Sequence, residues 1–162
     1  FATVVRFKPD QVKKLAGVRD YDRLQKELSA LVSDANYFYA VRVDGVFSYV
    51  KTRSVPAQSK PYRPLAEVTK TQPVFEYGKV RGTVVGFWCP QYVNGVNVPG
   101  YHLHFVSADR DKGGHLLAVS LEEGEARVAR IRSFRMVLPS MDGFRKAALG
   151  KDYSKELKAV EQ

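Results

Sequence analysis

The chain has 162 residues, of which 44% are hydrophobic and 12% aromatic, enough for one substantial core. We expect a single domain over residues 1–162. No apolar run approaches the ~20 residues that span a bilayer, and no charged segment followed by an apolar stretch opens the chain. This predicts a protein without a membrane partner, most simply cytoplasmic, although secretion stays open because the native amino terminus looks absent.

The net charge of +9 suits a nucleic-acid partner or an anionic small molecule. The basic residues are spread along the chain without a basic run, which favours a diffusely solvated surface over a nucleic-acid interface. The single cysteine, Cys89, excludes an internal disulfide and leaves the redox compartment undecided. Between Trp88 and Pro90, it fits a buried thiol better than a nucleophile.

In the amino-terminal third, the residue pattern predicts one strand and two helices. Residues 1–7 are apolar and β-branched, which predicts a strand that starts at the first residue. Because a domain rarely begins inside a strand, we expect the chain to start partway through a larger protein. A short helix is predicted over residues 10–15, ended by Gly17, and a second over residues 21–33, capped by Asp20.

The next segment carries the strongest hairpin signal of the chain. Residues 37–43 and 46–51 are strand-like and flank the pair Asp44-Gly45, which favours a two-residue turn. The second strand leads to Arg53, and an arginine at a strand end is usually a surface residue.

The remaining elements are mostly strands. Two are predicted at residues 74–77 and 80–88, and a turn at residues 122–125 precedes a strand over residues 126–136. Alternating arginines make that last strand a half-exposed edge strand, with a bulge around residues 129–131. Residues 142–162 predict two short helices. The fold class is therefore α+β, mainly β: an antiparallel or mixed sheet closing toward a small β-barrel, with a few short helices.

All three histidines lie within one short stretch. His102 and His104 share a face of a predicted strand, since side chains alternate along it. If residues 108–111 form a hairpin loop, His104 lies directly opposite His115, with Cβ atoms roughly 4.5–5.5 Å apart. Three imidazoles on one face are what a catalytic metal with an open coordination position requires. Imidazole suits zinc, iron, copper and nickel alike, so the ligands alone do not choose the metal. A lone histidine on a strand is usually structural, but three at this spacing favour a metal site.

Several long motifs, in order along the whole chain, resemble the α-acetolactate decarboxylase family. They are the segments 51–56 (KTRSVP), 72–76 (QPVFE), 82–88 (GTVVGFW), 99–105 (PGYHLHF) and 109–115 (DRDKGGH). The three-histidine block is the most specific of them.

The resemblance implies residue roles. Zinc is held by His102, His104 and His115, Arg53 faces the metal, and a carboxyl-terminal glutamate folds back toward it. By spacing from the histidines that glutamate is Glu161, with Glu156 as the next candidate. Family members also carry an additional amino-terminal segment with an acidic residue that contributes to the site, and this chain begins after it.

The resemblance also implies a reaction, the conversion of 2-acetolactate to acetoin and carbon dioxide. The metal acts as a Lewis acid that stabilises an enediolate, and Glu161 or the amino-terminal acid handles the proton. The substrate partner is then an anionic 2-hydroxy-3-keto acid, and the protein pairs as a homodimer or with the absent segment. Two alternatives stay open: a metal-binding fragment inactive without its amino-terminal part, and a cupin-like iron enzyme.

Overall fold

The computed structural model of the protein describes residues 3–150. Its regular elements are β1 (Gln11–Val18), α1 (Tyr21–Ser29), β2 (Phe38–Arg53), α2 (Leu65–Val68), β3 (Val74–Cys89), β4 (Gly100–Ser107), β5 (Gly113–Ile131) and α3 (Asp142–Arg145). Single 3-10 turns lie at Thr69–Thr71 and Gln91–Val93. The prediction of a mainly β fold with a few short helices is confirmed.

The five strands form one antiparallel sheet in the order β1-β5-β2-β3-β4. Strand β4 also pairs with β5, so β2, β3, β4 and β5 close into a ring and β1 lies outside it. The closing pairing is short, since it joins only the residue pairs from His104↔His115 to Val106↔Gly113. The sheet therefore closes as expected, but along a narrow seam, and the histidines lie at that seam.

Three glycines in register let this small ring curl. Gly45 of β2 lies between Gly82 of β3 and Gly124 of β5. A Cβ at Gly82 would lie 2.6 Å from the ring of Phe105, and one at Gly45 would lie 2.8 Å from Leu121. Both neighbours are buried in the core. The glycines thus leave the space that these two core side chains fill.

The predicted hairpin at Asp44-Gly45 is wrong, because β2 runs unbroken from Phe38 to Arg53. Asp44 pairs with Thr83 on one side and Glu125 on the other. Its carboxylate accepts hydrogen bonds from Arg42, Thr83 and Arg127. The local turn preference is overridden by pairing with strands on both sides.

Replacing Gly82 by alanine is expected to lower the free energy of unfolding by about 1–3 kcal/mol, because the added methyl group overpacks against Phe105. Gly78→Ala is the matched control, since it lies on the same strand with no atom within 4 Å of its Cβ position. The control should change stability by at most about 0.5 kcal/mol. Urea denaturation of both variants tests this, and equal stabilities would contradict the packing account.

The predicted helix over residues 10–15 is also wrong, because this segment belongs to β1. Asp10 does not cap a helix; its carboxylate accepts a hydrogen bond from the Arg130 backbone N–H at 2.6 Å. The Asp10 N–H donates to the Val128 carbonyl oxygen at 2.9 Å, which starts the β1–β5 pairing. Residues 3–9 form no strand, contrary to prediction.

Helix α1 is confirmed, although it ends at Ser29. The Asp20 carboxylate accepts a hydrogen bond from the Arg23 N–H at 2.7 Å, as a helix N-cap does. Leu24 and Leu28 are fully buried and join the core of the sheet. The helix therefore covers one face of the sheet.

Other strand boundaries differ from the prediction, because β3 and β5 continue through the predicted strand ends and turn. The strands at 74–77 and 80–88 are one strand, β3, and the turn at 122–125 lies inside β5. The bulge predicted at 129–131 is absent from the β2–β5 pairing. Strand β5 ends at Ile131 and pairs with β1, β2 and β4, so its arginines do not lie on an edge strand.

The first helix predicted in the tail is α3, a single turn, and the second lies outside the described residues. Within residues 3–150, no helix has both the length and the apolar character needed to cross a membrane.

Candidate metal centre

The three histidines converge on the face of the sheet that points away from the core. His104 pairs directly with His115, as the hairpin count predicted. The nitrogen atoms that each ring offers to a metal all lie within 4.8 Å of one another. The His102 Nε2 and His104 Nε2 atoms are 3.0 Å apart. Strands β4 and β5 thus bring three imidazoles to one point.

A bulge in β5 places His115 on this face. Lys51 of β2 pairs with Ala118, but the next residue, Thr52, pairs with Leu116, so Leu117 is the extra residue. With unbroken alternation Leu116 would point outward with Ala118. Instead Leu116 is buried in the core, and His115 points outward. The bulge therefore aims a polar side chain at the site, as bulges beside functional sites often do.

The tight loop between β4 and β5 fixes the hairpin register. The Ser107 N–H donates to the Lys112 carbonyl oxygen at 2.9 Å, and the Ser107 hydroxyl accepts from the Lys112 N–H at 3.1 Å. That hydroxyl donates to Asp109, which holds the pKa of the Asp109 carboxyl well below its usual range. Arg110 adopts a left-handed backbone with φ of 64°. A one-residue slip here would separate His104 from His115.

Arg53 ends β2 directly opposite His115. Directly opposed residues share a face of the sheet, so Arg53 lies on the face of the histidines. The residue is only 9% exposed, contrary to the usual expectation for an arginine at a strand end. Strands β2 and β5 approach closely here, so that a Cβ at Gly114 would lie only 2.5 Å from the Arg53 carbonyl oxygen. The fold therefore places a buried arginine beside the three histidines on one face of the sheet.

The environment favours the neutral, metal-binding form of His104. Partial desolvation of its ring by the surrounding groups lowers the pKa of His104, and the neighbouring His102 lowers it further. A neutral imidazole keeps a lone pair for a metal, whereas a protonated one does not.

Among the described residues, Cys89 does not belong to the group of potential metal ligands. It is buried, and its amide neighbour Asn97 donates a hydrogen bond to its sulfur at 3.6 Å. Burial raises the pKa of the Cys89 thiol to about 11, so it is neutral near pH 7. The expectation of a buried thiol is confirmed.

Two apolar residues that lie beside the histidines were not predicted from the sequence. Val85 pairs directly with His104, and Phe87 pairs directly with His102, so both share the face of the histidines. Residues 80–88 are nearly continuous in apolar character, so the sequence does not indicate which of these side chains share the face of the histidines; the pairing of β3 with β4 does. Glu161 and Glu156 lie outside the described residues, so their predicted role stays a prediction.

Residues 1–151 match the family model described as alpha-acetolactate decarboxylase. The chain belongs to this family. The family resemblance drawn from the motifs is therefore confirmed, and the histidine hairpin and Arg53 are features of an alpha-acetolactate decarboxylase family member.

Relatives with the same family name extend the comparison. An alpha-acetolactate decarboxylase of Methanosarcina mazei is 46% identical over 162 residues, and that of Bacillus subtilis strain 168 is 38% identical over 162 residues. The chain covers 56% and 64% of their lengths. A crystal structure of the Bacillus subtilis strain 168 protein superposes with a TM-score of 0.91 at 39% identity, over 96% of this chain and 67% of that one. The chain thus has the fold of about two thirds of that structure.

Proposed function

We propose that this chain is a single metal-binding catalytic domain that decarboxylates 2-acetolactate to acetoin and carbon dioxide. The observation that carries the proposal is the convergence of His102, His104 and His115 opposite the buried Arg53, in a chain of the alpha-acetolactate decarboxylase family. The relatives are named for this activity, and this chain is 46% and 38% identical to two of them.

The three histidines fit a divalent metal, and we propose zinc. Zinc ligated by imidazole has bonds of about 2.0–2.1 Å, so its ligand atoms lie near one another at separations like the 3.0 Å between His102 Nε2 and His104 Nε2. Three protein ligands leave one position open, as in catalytic zinc sites. The lowered pKa of His104 favours its neutral form, which keeps a lone pair for the metal.

The reaction breaks the bond between the carboxylate carbon and C2 of acetolactate. Carbon dioxide leaves, and the electron pair moves toward the oxygen of the neighbouring ketone. When bound, a divalent metal supplies Lewis-acid stabilisation of that developing negative charge. A proton delivered to C2 then completes acetoin.

The chain's own residues bind and orient the substrate. We propose that Arg53 offers its planar fork of donors to the substrate carboxylate or to the developing oxyanion. Its burial supports this role, because a charge shielded from water interacts more strongly with an anion. We propose Glu161, with Glu156 as the alternative, as the group that handles the proton.

The test is turnover after controlled metal loading. The protein is stripped with a chelator, reloaded with one equivalent of zinc, and given racemic 2-acetolactate under argon. We expect acetoin and carbon dioxide in equal amounts from the zinc-loaded protein, and background rates from the stripped protein. Zinc binding without acetoin would refute the proposed reaction, and a need for dioxygen would point to an oxygenase.

A further inference from the structure

The candidate metal centre has two chemically different sides. On one side lies Arg53 of β2, directly opposite His115 of β5. On the other side lie Val85 and Phe87 of β3, directly opposite His104 and His102 of β4. The histidines therefore lie between a cationic side and an apolar side on one face of the sheet.

The apolar side is open to a ligand. Val85 is 45% exposed, and Phe87 is half-buried on the same face. Along β4, Val106 is the next outward residue after His104 and is 37% exposed. Single exposed apolar residues are common on proteins, but these three adjoin one cluster of polar groups. Small-molecule sites have this composition, an apolar lining with a few polar groups that set orientation.

We propose that Val85, supported by Phe87, is the residue that selects the alkyl substituent on C2 of the substrate. The inference rests on the proposed function for the substrate class, a 2-hydroxy-3-keto acid. Such an acid carries one carboxylate and a short alkyl group on the same carbon. With the carboxylate toward Arg53, the alkyl group falls on the opposite side of the histidines, against Val85. A change in the size of residue 85 therefore changes the preference between a methyl and an ethyl substituent.

The test measures binding, so that it does not depend on turnover. The probes are 2,3-dihydroxy-2-methylbutanoate and its homologue with ethyl in place of the C2 methyl. Neither contains the ketone that accepts the electron pair, so neither decarboxylates. Their dissociation constants are measured calorimetrically on the zinc-loaded wild type, on Val85→Ala and on Val85→Phe.

Val85→Ala should shift the ratio of the two affinities toward the ethyl compound by roughly three- to tenfold, and Val85→Phe should shift it the other way. This is smaller than the roughly 10- to 200-fold effect of a methylene in a closed pocket, because Val85 is partly exposed. Val12→Ala is the matched control, an exposed valine on β1 opposite Arg127, and should leave the ratio within twofold.

Ratios within twofold of wild type in both Val85 variants would overturn the inference. So would the absence of binding of both compounds to the wild type at millimolar concentration. A protein that binds both compounds with the predicted shifts but forms no acetoin would refute the proposed reaction and leave the selectivity of Val85 standing. The two failures are thereby distinguishable.

Discussion

Replacing His104 by alanine is expected to remove the bound metal and the decarboxylase activity together. His104 adjoins both other histidines: its Nε2 atom lies 3.0 Å from that of His102, and it pairs directly with His115. Two imidazoles remain in the variant, one fewer than catalytic zinc commonly uses. After gel filtration in metal-free buffer, we expect zinc to fall from about one per chain to less than roughly a tenth, with acetoin formation at background.

The matched control is Val106→Ala, the next outward residue on β4, which offers no ligand atom. It should keep its zinc. Circular dichroism of the metal-free proteins separates metal loss from unfolding, because His104 is exposed and its replacement removes no core packing. Full zinc stoichiometry in His104→Ala would show that the ligand assignment is wrong.

Replacing Arg53 by alanine is expected to leave the zinc bound while kcat/KM for acetolactate falls by roughly 10²–10³-fold. This is the usual cost, about 2.7–4 kcal/mol, of removing one preorganised donor from an oxyanion site. Arg53→Lys should recover only part of the loss, because an ammonium group is a point charge without the planar fork. Steady-state kinetics and metal analysis on the same preparations give both quantities.

Arg23→Ala provides the comparison for the loss of an arginine away from the site. The Arg23 guanidinium contacts the Glu27 carboxylate on helix α1, which packs on the core face of the sheet through Leu24 and Leu28, whereas the histidines point away from the core. We expect turnover within about twofold of wild type, because an exposed ion pair contributes at most about 1 kcal/mol to stability. Near-normal acetoin formation by Arg53→Ala would remove Arg53 from the mechanism, and zinc loss in that variant would make it a structural residue.

The histidine site was predictable from sequence because its determinants are local. Period-two alternation places His102 and His104 on one face, and the short loop between β4 and β5 sets the pairing of His104 with His115. Each of these depends on residues within one hairpin. The same locality explains the success with α1, whose Asp20 cap and buried leucines lie within one segment.

Long-range pairing explains the failures. Asp44-Gly45 has the composition of a hairpin turn, but Gly45 serves the close approach of Gly82 and Gly124 from strands far away in the sequence. The segment of β1 has helix-compatible residues, yet its hydrogen bonds go to β5. Local preferences cannot reveal partners of this kind, since sheet context overrides them.

Placing Arg53 in the site required both the family resemblance and the structure. Its position at a strand end is ordinary in sequence, and the family resemblance alone assigned it to the site. The structure adds the physical reason, which is that the bulge at Leu117 aligns Arg53 with His115 rather than with Leu116. The apolar side formed by Val85 and Phe87 became visible only with the β3–β4 register.

The most direct test of the central claim is the X-ray absorption spectrum of the zinc-loaded protein at the zinc edge. Three imidazole ligands and an open position predict nitrogen or oxygen scatterers at about 2.0–2.1 Å, with the outer-shell signature of three imidazole rings. The spectrum should lack a sulfur ligand, since Cys89 is buried with its thiol protonated. A sulfur scatterer at about 2.3 Å, or a shell without imidazole, would contradict a metal centre built from His102, His104 and His115.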